Sequence, residues 1–82
     1  MKVIIRLFGG LKSEKDFPKN EEGDIIFEFS EPFTVCQLID SLGLNKTPYI
    51  VVLNGVIINE FSLPLRDADE VSLFPPIAGG AW

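Results

Sequence analysis

Histidine is absent from the 82 residues of this chain, and cysteine, methionine, tryptophan and tyrosine occur only once each. Without histidine the chain lacks the commonest general base and the commonest metal ligand of proteins. A single cysteine excludes an internal disulfide framework, a zinc site made of several thiolates and a cysteine-ligated iron–sulfur cluster. The composition therefore predicts no bound metal, and it agrees with a protein that is not itself an enzyme.

Long apolar runs and an excess of positive charge are also missing. No apolar run approaches the roughly 18 residues of a membrane-spanning helix, so we expect no membrane segment and a cytoplasmic location. The 7 basic and 12 acidic residues give a net charge of −5, and the basic ones are scattered. Because an acidic surface repels phosphate backbones, nucleic acid is a poor candidate partner. The hydrophobic share of 46% is typical of one globular domain.

Alternating apolar residues predict strands over 2–8, 25–30 and 70–74. Gly9-Gly10 ends the first strand, and the polar stretch 11–24 is interpreted as a long hairpin loop. Asn54-Gly55 between two apolar runs predicts a hairpin over 49–58, since both central residues of a type I′ turn need positive φ. The residues expected to face a core from the three alternating strands are Val3, Ile5, Leu7, Ile25, Phe27, Phe29, Val71 and Leu73.

One helix is predicted after Pro32. Thr34 is a suitable N-cap, and Gln37 three residues later completes a capping box. Gly43 is expected to end the helix in a left-handed conformation. The apolar stripe that should pack on the sheet consists of Val35, Leu38, Ile39 and Leu42. Cys36 lies beside this stripe, and we interpret it as a small half-buried side chain rather than a redox site.

The segment after the hairpin is predicted to be irregular and then to turn. Pro64 confines any strand over 62–66 to a sheet edge. Asp67-Ala68-Asp69 is interpreted as a turn, which accounts for its carboxylates without a bound cation. Strands outnumber the single helix, so the sequence predicts one helix packed across one face of a mixed sheet.

The C-terminal residues 74–82, Phe-Pro-Pro-Ile-Ala-Gly-Gly-Ala-Trp, carry the clearest functional signal. Two prolines stiffen the exit from the last strand, and the glycines that follow are slender. An extended chain from Pro75 to Gly80 reaches roughly 20 Å, which suits insertion into a narrow channel of a partner. The alternative is a frayed terminus without a function.

Three stretches together resemble the ubiquitin-like β-grasp sulfur carriers: Leu7-Phe8, residues 52–55 (Val-Leu-Asn-Gly) and residues 67–80, which end in Phe-Pro-Pro-Ile-Ala-Gly-Gly. The nearest match is the small subunit of molybdopterin synthase, and the thiamine-pathway sulfur carrier is a more distant relative. The resemblance implies an α+β β-grasp domain over 1–74, with a mixed sheet of four to five strands and one main helix on one face. It further implies an extended flexible tail over 75–82. Ala68 departs from the family, which often has glycine there.

In that family the carboxylate of the last glycine, here Gly80, is adenylated by an E1-like activating enzyme that uses ATP. A sulfur donor then displaces AMP, and the resulting thiocarboxylate gives its sulfur to an acceptor enzyme of molybdopterin, tungstopterin, thiamine or sulfur amino-acid biosynthesis. The carrier itself binds no cofactor. The resemblance assigns the tail to Pro75, Pro76, Ala78 and Gly79, and it assigns partner docking to Phe8, Phe74 and Ile4.

Ala81-Trp82 is the second departure from the family, whose carriers end at the second glycine. The Gly80 carbonyl is in a peptide bond to Ala81, and adenylation needs a free carboxylate, so we expect a peptidase such as a metalloprotease to remove the extension first. The alternatives are that Ala81-Trp82 is a cloning remnant or that an unusual partner activates Trp82 itself. Two alternatives remain beside the sulfur carrier. One is a ubiquitin-like modifier joined through Gly80 to a lysine, and the other is an interaction module that never uses its tail.

Overall fold

Five strands and one helix make up the regular structure of the residues described. The structure, a computed structural model, describes residues 1–30, 32–48 and 50–75. Its elements in chain order are β1 (Lys2–Leu7), β2 (Ile25–Glu28), α1 (Val35–Leu42), β3 (Ile50–Leu53), β4 (Val56–Ile58) and β5 (Glu70–Phe74). Among these residues no helix has the length and apolar character needed to cross a membrane.

The strands form one mixed sheet in the order β2-β1-β5-β3-β4. The central strands β1 and β5 are parallel, and the other neighbours are antiparallel. With α1 packed on one face, this is the predicted α+β, ubiquitin-like β-grasp fold. The Asn-Gly hairpin is confirmed, since Asn54 and Gly55 both have positive φ between β3 and β4.

The prediction made β1 one residue too long and β2 two residues too long, in both cases at the C-terminal end of the strand. The backbone of Phe8 still donates a hydrogen bond to the Leu73 carbonyl at 3.0 Å, but Gly9 and Gly10 then take left-handed φ values and turn the chain away. After β2, the Phe29 N–H donates a hydrogen bond to the Met1 carbonyl at 2.9 Å. Met1 precedes β1, so the pairing of the two strands ends here.

The helix begins and ends as predicted. Thr34 and Gln37 form the reciprocal capping box, and Gly43 has φ 59°. The first N–H groups of a helix have no partner inside it, and here the irregular segment before β5 supplies two: Val35 donates to Leu63, and Cys36 to Phe61. The interpretation of Cys36 as half-buried is wrong. Its side chain is exposed, because each helical residue turns the chain by about 100° and carries Cys36 off the buried stripe.

The core lies between α1 and the sheet. Its buried apolar residues are Val3, Ile5, Leu11, Ile25, Val35, Leu38, Leu42, Val51, Leu65, Val71 and Leu73. Four further residues predicted for the core pack against it while only partly buried: Leu7, Phe27, Phe29 and Ile39. Leu11, Val51 and Leu65 were not predicted, because they lie in a polar loop, a hairpin with no assigned face and an irregular segment.

The stretch 11–24 is more than a polar loop. Leu11 is buried, Phe17 packs against the core, and the Ser13 hydroxyl bonds the Leu42 carbonyl at the end of α1. The Pro18 carbonyl accepts a hydrogen bond from the Ile26 N–H at 2.8 Å, so this stretch covers the outer edge of β2.

The turn before β5 uses its acidic side chains for the backbone. Asp67 accepts a hydrogen bond from the Lys2 N–H, and Asp69 accepts one from the Arg66 N–H, both at 2.8 Å. Ala68 has φ 70°, a left-handed conformation that glycine adopts more readily. The alanine therefore has a backbone conformation that glycine adopts without a steric penalty from Cβ.

Candidate functional site

The tail residues singled out by the sequence lie mostly outside the described residues. They are Pro76, Ala78, Gly79, Gly80, Ala81 and Trp82. Pro75 is described, and it follows directly on Phe74 at the end of β5. The candidate site can thus be built from the end of the sheet at which the tail begins.

The two faces of the sheet differ in what covers them. Residues such as Val3 and Leu73 point towards α1 and are fully buried. The alternate residues of the same strands lie on the opposite face, called here the outer face, which bears Ile4, Arg6, Phe8, Ser72 and Phe74. In the described residues no helix covers this outer face.

Phe8 and Phe74, called here the aromatic pair, stack on the outer face beside Pro75. Their ring centroids are 4.6 Å apart and the rings are nearly parallel, at 6°. The Phe8 side of the pair is 42% exposed, and Phe74 is half-buried. The parallel pairing of β1 with β5 puts these residues at the same end of the sheet, although they are distant in sequence.

Ile4 lies on the outer face but not with the aromatic pair. Ile4 and Phe8 are four residues apart along β1 and its continuation, which corresponds to about 13 Å at 3.3 Å per residue. The neighbours of Ile4 across the sheet are Ile26 on β2 and Glu70 on β5. The structure therefore brings Phe8 and Phe74 together and places Ile4 towards the other end of the face.

Arg6 separates Ile4 from the aromatic pair. Its Nε donates to Asp24 Oδ2 at 3.1 Å, and its Nη1 donates to Glu70 Oε1 at 2.7 Å. The hydrogen bond with Glu70, and after it the one with Asp24, raises the pKa of Arg6 above its ordinary value. No local pattern predicts this cluster, because its three members come from β1, the loop before β2 and the start of β5.

Gly9 lies against the root of the tail. It has φ +63°, and a Cβ built on it would be 2.8 Å from both Cδ and Cγ of Pro75. Gly10 has φ +84°, and a Cβ there would meet no atom within 4 Å. The Leu11 N–H donates to the Phe8 carbonyl at 3.1 Å and closes a turn around the two glycines. The sequence shows the turn, but nothing in it signals that Pro75 packs on the first glycine.

The described part of the site consists of the aromatic pair and the root of the tail at Pro75. A cleft of about 590 Å³ beside it, between β1 and the loop before β2, is lined by charges of both signs, including Arg6, Lys12, Lys19 and Asp24. Within 1–30, 32–48 and 50–75, no three potential ligands among cysteine, aspartate and glutamate are grouped to hold a metal ion. What the described residues provide here is an exposed aromatic surface directly before the point at which the tail begins.

Comparison with known proteins adds a family to this geometry. The sequence profile of the ThiS family matches residues 5–80. The match includes both members of the aromatic pair, Pro75 and Gly79-Gly80, and it stops before Ala81. No curated protein and no solved structure matches the chain significantly.

Proposed function

This chain belongs to the ThiS family of small sulfur-carrier proteins, and we propose that it carries its sulfur as a thiocarboxylate on Gly80. The observation that carries the proposal is the family match through Gly80, on a β-grasp body whose last strand leads directly into Pro75. The protein is then a substrate and carrier for its partner enzymes, and the catalytic groups belong to those partners.

The chemistry begins with the bond after Gly80. A peptidase hydrolyses the Gly80–Ala81 peptide bond and frees the Gly80 carboxylate. An oxygen of this carboxylate attacks the α-phosphorus of ATP on the activating enzyme, and pyrophosphate leaves. A sulfide-level sulfur from the donor then attacks the carbonyl carbon of the acyl adenylate, and AMP leaves. The carbon keeps one oxygen and gains one sulfur.

Glycine is the suitable residue for this end of the chain. It has no Cβ, so the carbonyl carbon can be approached from either side. Activation is needed because a carboxylate is a poor electrophile, whereas its mixed anhydride with AMP has a good leaving group. ATP is held by the activating enzyme, and no cofactor is assigned to the carrier.

The aromatic pair is the surface that we propose for docking to the activating and acceptor enzymes. Phe8 is 42% exposed on a face that no helix of the described residues covers. Exposed aromatic side chains are favoured as anchors in protein interfaces. Because Phe74 is followed by Pro75, a partner that binds the pair also receives the root of the tail. Ile4 lies too far along β1 to share one small pocket with the pair.

Intact mass of the protein from its native cell tests the proposal. A chain that ends at Gly80, with one oxygen replaced by sulfur, is the expected result. A covalent adduct between Gly80 and a lysine would instead show the ubiquitin-like modifier. A chain that continues unaltered through Trp82 would contradict both functions.

A second experiment tests the removal of Ala81-Trp82. The full chain and a chain that ends at Gly80 are each given ATP and the cognate activating enzyme, and pyrophosphate release is measured. A chain that ends at Gly79 controls for the position of the carboxylate. We expect release only with the chain that ends at Gly80. Equal rates with the uncleaved full chain would show that no processing is needed.

The sulfur acceptor that we propose is an enzyme of molybdopterin, tungstopterin or thiamine biosynthesis, or of sulfur amino-acid biosynthesis. Deletion of the gene in the native cell identifies which one. A growth requirement for thiamine, a requirement for cysteine or methionine, or a loss of molybdenum- or tungsten-dependent activity each points to a different acceptor. Growth without any of these defects would contradict the proposed acceptors.

A further inference from the structure

The two glycines after β1 both have positive φ but differ in their surroundings. Both have left-handed φ values, +63° at Gly9 and +84° at Gly10. A Cβ at Gly10 would stand in open space, whereas a Cβ at Gly9 would be 2.8 Å from two ring carbons of Pro75. Carbon atoms normally pack about 3.5–4.0 Å apart. Gly9 thus lacks a side chain at the one position of this turn where Pro75 needs the space.

We propose that Gly9 is a positioning residue for the tail: its missing side chain forms the seat on which Pro75 packs, and this seat sets the direction in which the tail leaves the sheet. The inference rests on the proposed function, because the direction matters only if Gly80 is presented to a partner. It concerns the root of the tail, which the structure describes.

The contact with Gly9 constrains the backbone of the tail because the residue that makes it is a proline. A clashing lysine or leucine can change rotamer, but the proline ring is bonded to its own backbone nitrogen and φ is locked. The Pro75 ring can therefore yield to a Cβ at residue 9 only if the backbone moves. Phe74 before it is held by pairing with Ile50 and by the stack with Phe8. The displacement then passes forward, into the residues after Pro75.

A small rotation of the backbone at Pro75 would displace Gly80 by a much larger distance. Five residue-to-residue steps lead from Pro75 to Gly80 and span about 16 Å when extended, within the roughly 20 Å reached by all six residues end to end. A rotation of about 10° at Pro75 displaces Gly80 by about 3 Å over that span. Misplacement of a reacting group by about 1 Å can lower a rate about 100-fold.

The first test measures adenylation kinetics on chains that end at Gly80, with Gly9→Ala compared with Gly10→Ala. Both substitutions put a Cβ at positive φ, so both share that strain, and only the first meets Pro75. We expect Gly9→Ala to lower kcat about 100-fold. KM should change little, because the aromatic pair still docks. Gly10→Ala should stay near the wild-type kcat.

The reason for the effect is tested by removal of the proline ring. Pro75→Ala takes away both Cγ and Cδ, the atoms that the new side chain would meet. If the seat acts through this contact, Gly9→Ala causes no further loss of kcat in a Pro75→Ala background. An equal loss in both backgrounds would overturn the proposal.

A second readout does not need the partner enzyme. The chain has one tryptophan, Trp82, and one cysteine, Cys36, whose side chain is exposed on α1. With a fluorescent acceptor on Cys36 of the full chain, energy transfer from Trp82 reports the distance between tail and body. Gly9→Ala and Pro75→Ala should each shift the distance distribution, and Gly10→Ala should leave it unchanged. Unfolding curves show whether each variant is folded.

The outcomes separate this proposal from the proposed function. If the wild-type chain that ends at Gly80 releases no pyrophosphate, the proposed function fails. The energy-transfer distances then decide by themselves whether Gly9 positions the tail. If Gly9→Ala does not fold, Pro75→Ala alone decides it, since it leaves the turn intact. Equal effects of Gly9→Ala and Gly10→Ala, or a distance distribution that Pro75→Ala leaves unchanged, would overturn the positioning role.

Discussion

The face of the sheet under α1 and the outer face are made by alternate residues of the same strands. The residue types on the two faces nevertheless have different causes. The covered side of β1 and β5 is entirely apolar and fully buried at Val3, Ile5, Val71 and Leu73. The outer side of the same strands carries Arg6 in ion pairs and two half-exposed phenylalanines. Folding accounts for the first face, because burial of apolar area stabilises it. Folding does not account for an exposed aromatic pair, whereas the proposed docking to a partner would.

The outer face is itself divided. At the start of β5 the Arg6 side chain joins Glu70 to Asp24 and neutralises part of the acidic charge there. At the end of β5 the aromatic pair and Pro75 carry no charge. The tail leaves from this uncharged end, so a partner that covers the pair need not desolvate an ion pair.

The largest expected effect is on the covered face. Leu38→Ala removes a fully buried side chain from the middle of α1, and we expect it to lower the free energy of unfolding by about 2–5 kcal/mol. In a domain of this size such a loss can unfold the protein. Urea denaturation measures it, with Cys36→Ala on the exposed side of the same helix as the control. A loss below about 0.5 kcal/mol, typical of surface sites, would show that the stripe is misplaced.

Phe74→Asp should separate binding from folding on the outer face. We expect it to weaken binding to the activating enzyme by about 2 kcal/mol, the size of an interface hot spot, while the domain stays folded. Titration calorimetry measures the Kd, and urea denaturation checks the fold.

The control for Phe74→Asp is Ile57→Asp, which puts the same charge on β4, where Ile57 is 69% exposed. Equal weakening by both would mean that charge, and not the aromatic pair, disturbs binding. Unfolding of the Phe74 variant would make that residue structural, and the more exposed Phe8→Asp would then decide whether the pair docks.

Thr34→Ala tests the start of the helix that covers the first face. The Thr34 hydroxyl accepts a hydrogen bond from the Gln37 N–H at 3.2 Å, and loss of such an N-cap costs about 1 kcal/mol. Thermal or urea unfolding measures the change. Thr47→Ala, at an exposed threonine beyond the helix, is the matched control and should be neutral. Two variants of equal stability would contradict the role of the cap.

The smallest effect is expected for Arg6→Gln. Its ion pairs are partly exposed, and exposed pairs stabilise weakly and are screened by salt. The difference in stability between wild type and variant should shrink as salt is added, and Arg66→Gln should show no such dependence.

The pH dependence of Arg6→Gln follows from the direction of the shift. Because the neighbouring carboxylates raise the pKa of Arg6, its contribution is present below the ordinary arginine pKa and is lost only as pH rises through the raised one. Titration of the arginine should therefore cause no change near neutral pH. A loss of the Arg6 contribution between pH 7 and 9 would contradict this sign.

Local sequence patterns were sufficient to predict the helix and the strands of the fold. The capping box of Thr34 and Gln37, the left-handed Gly43 and the Asn54-Gly55 turn each depend on residues within a few positions of one another, and all three are present in the structure. The parity of β1 and β5 was equally readable, because a period of two assigns each residue to a face. The resemblance to the sulfur carriers, carried chiefly by residues 67–80, agrees with the family match.

The core was predicted less completely. Leu11 follows two glycines in a charged stretch, and Leu65 follows a proline, so neither shows a period that signals burial. Both are buried because their segments close over the ends of the same core. A loop residue is buried by what packs against it, and sequence periodicity reports only regular elements.

The sequence alone indicated a small acidic domain with one helix, the positions of its strands and turns, and a tail that contains the Gly79-Gly80 pair of the family followed by Ala81-Trp82. Only the tertiary structure decided that Phe8 stacks on Phe74, that Arg6 joins Asp24 to Glu70, and that Gly9 lies against the ring of Pro75. The physical reason is the parallel pairing of β1 with β5. It brings the first and the last strand side by side, and such long-range pairing depends on global packing and not on the local pattern of either strand.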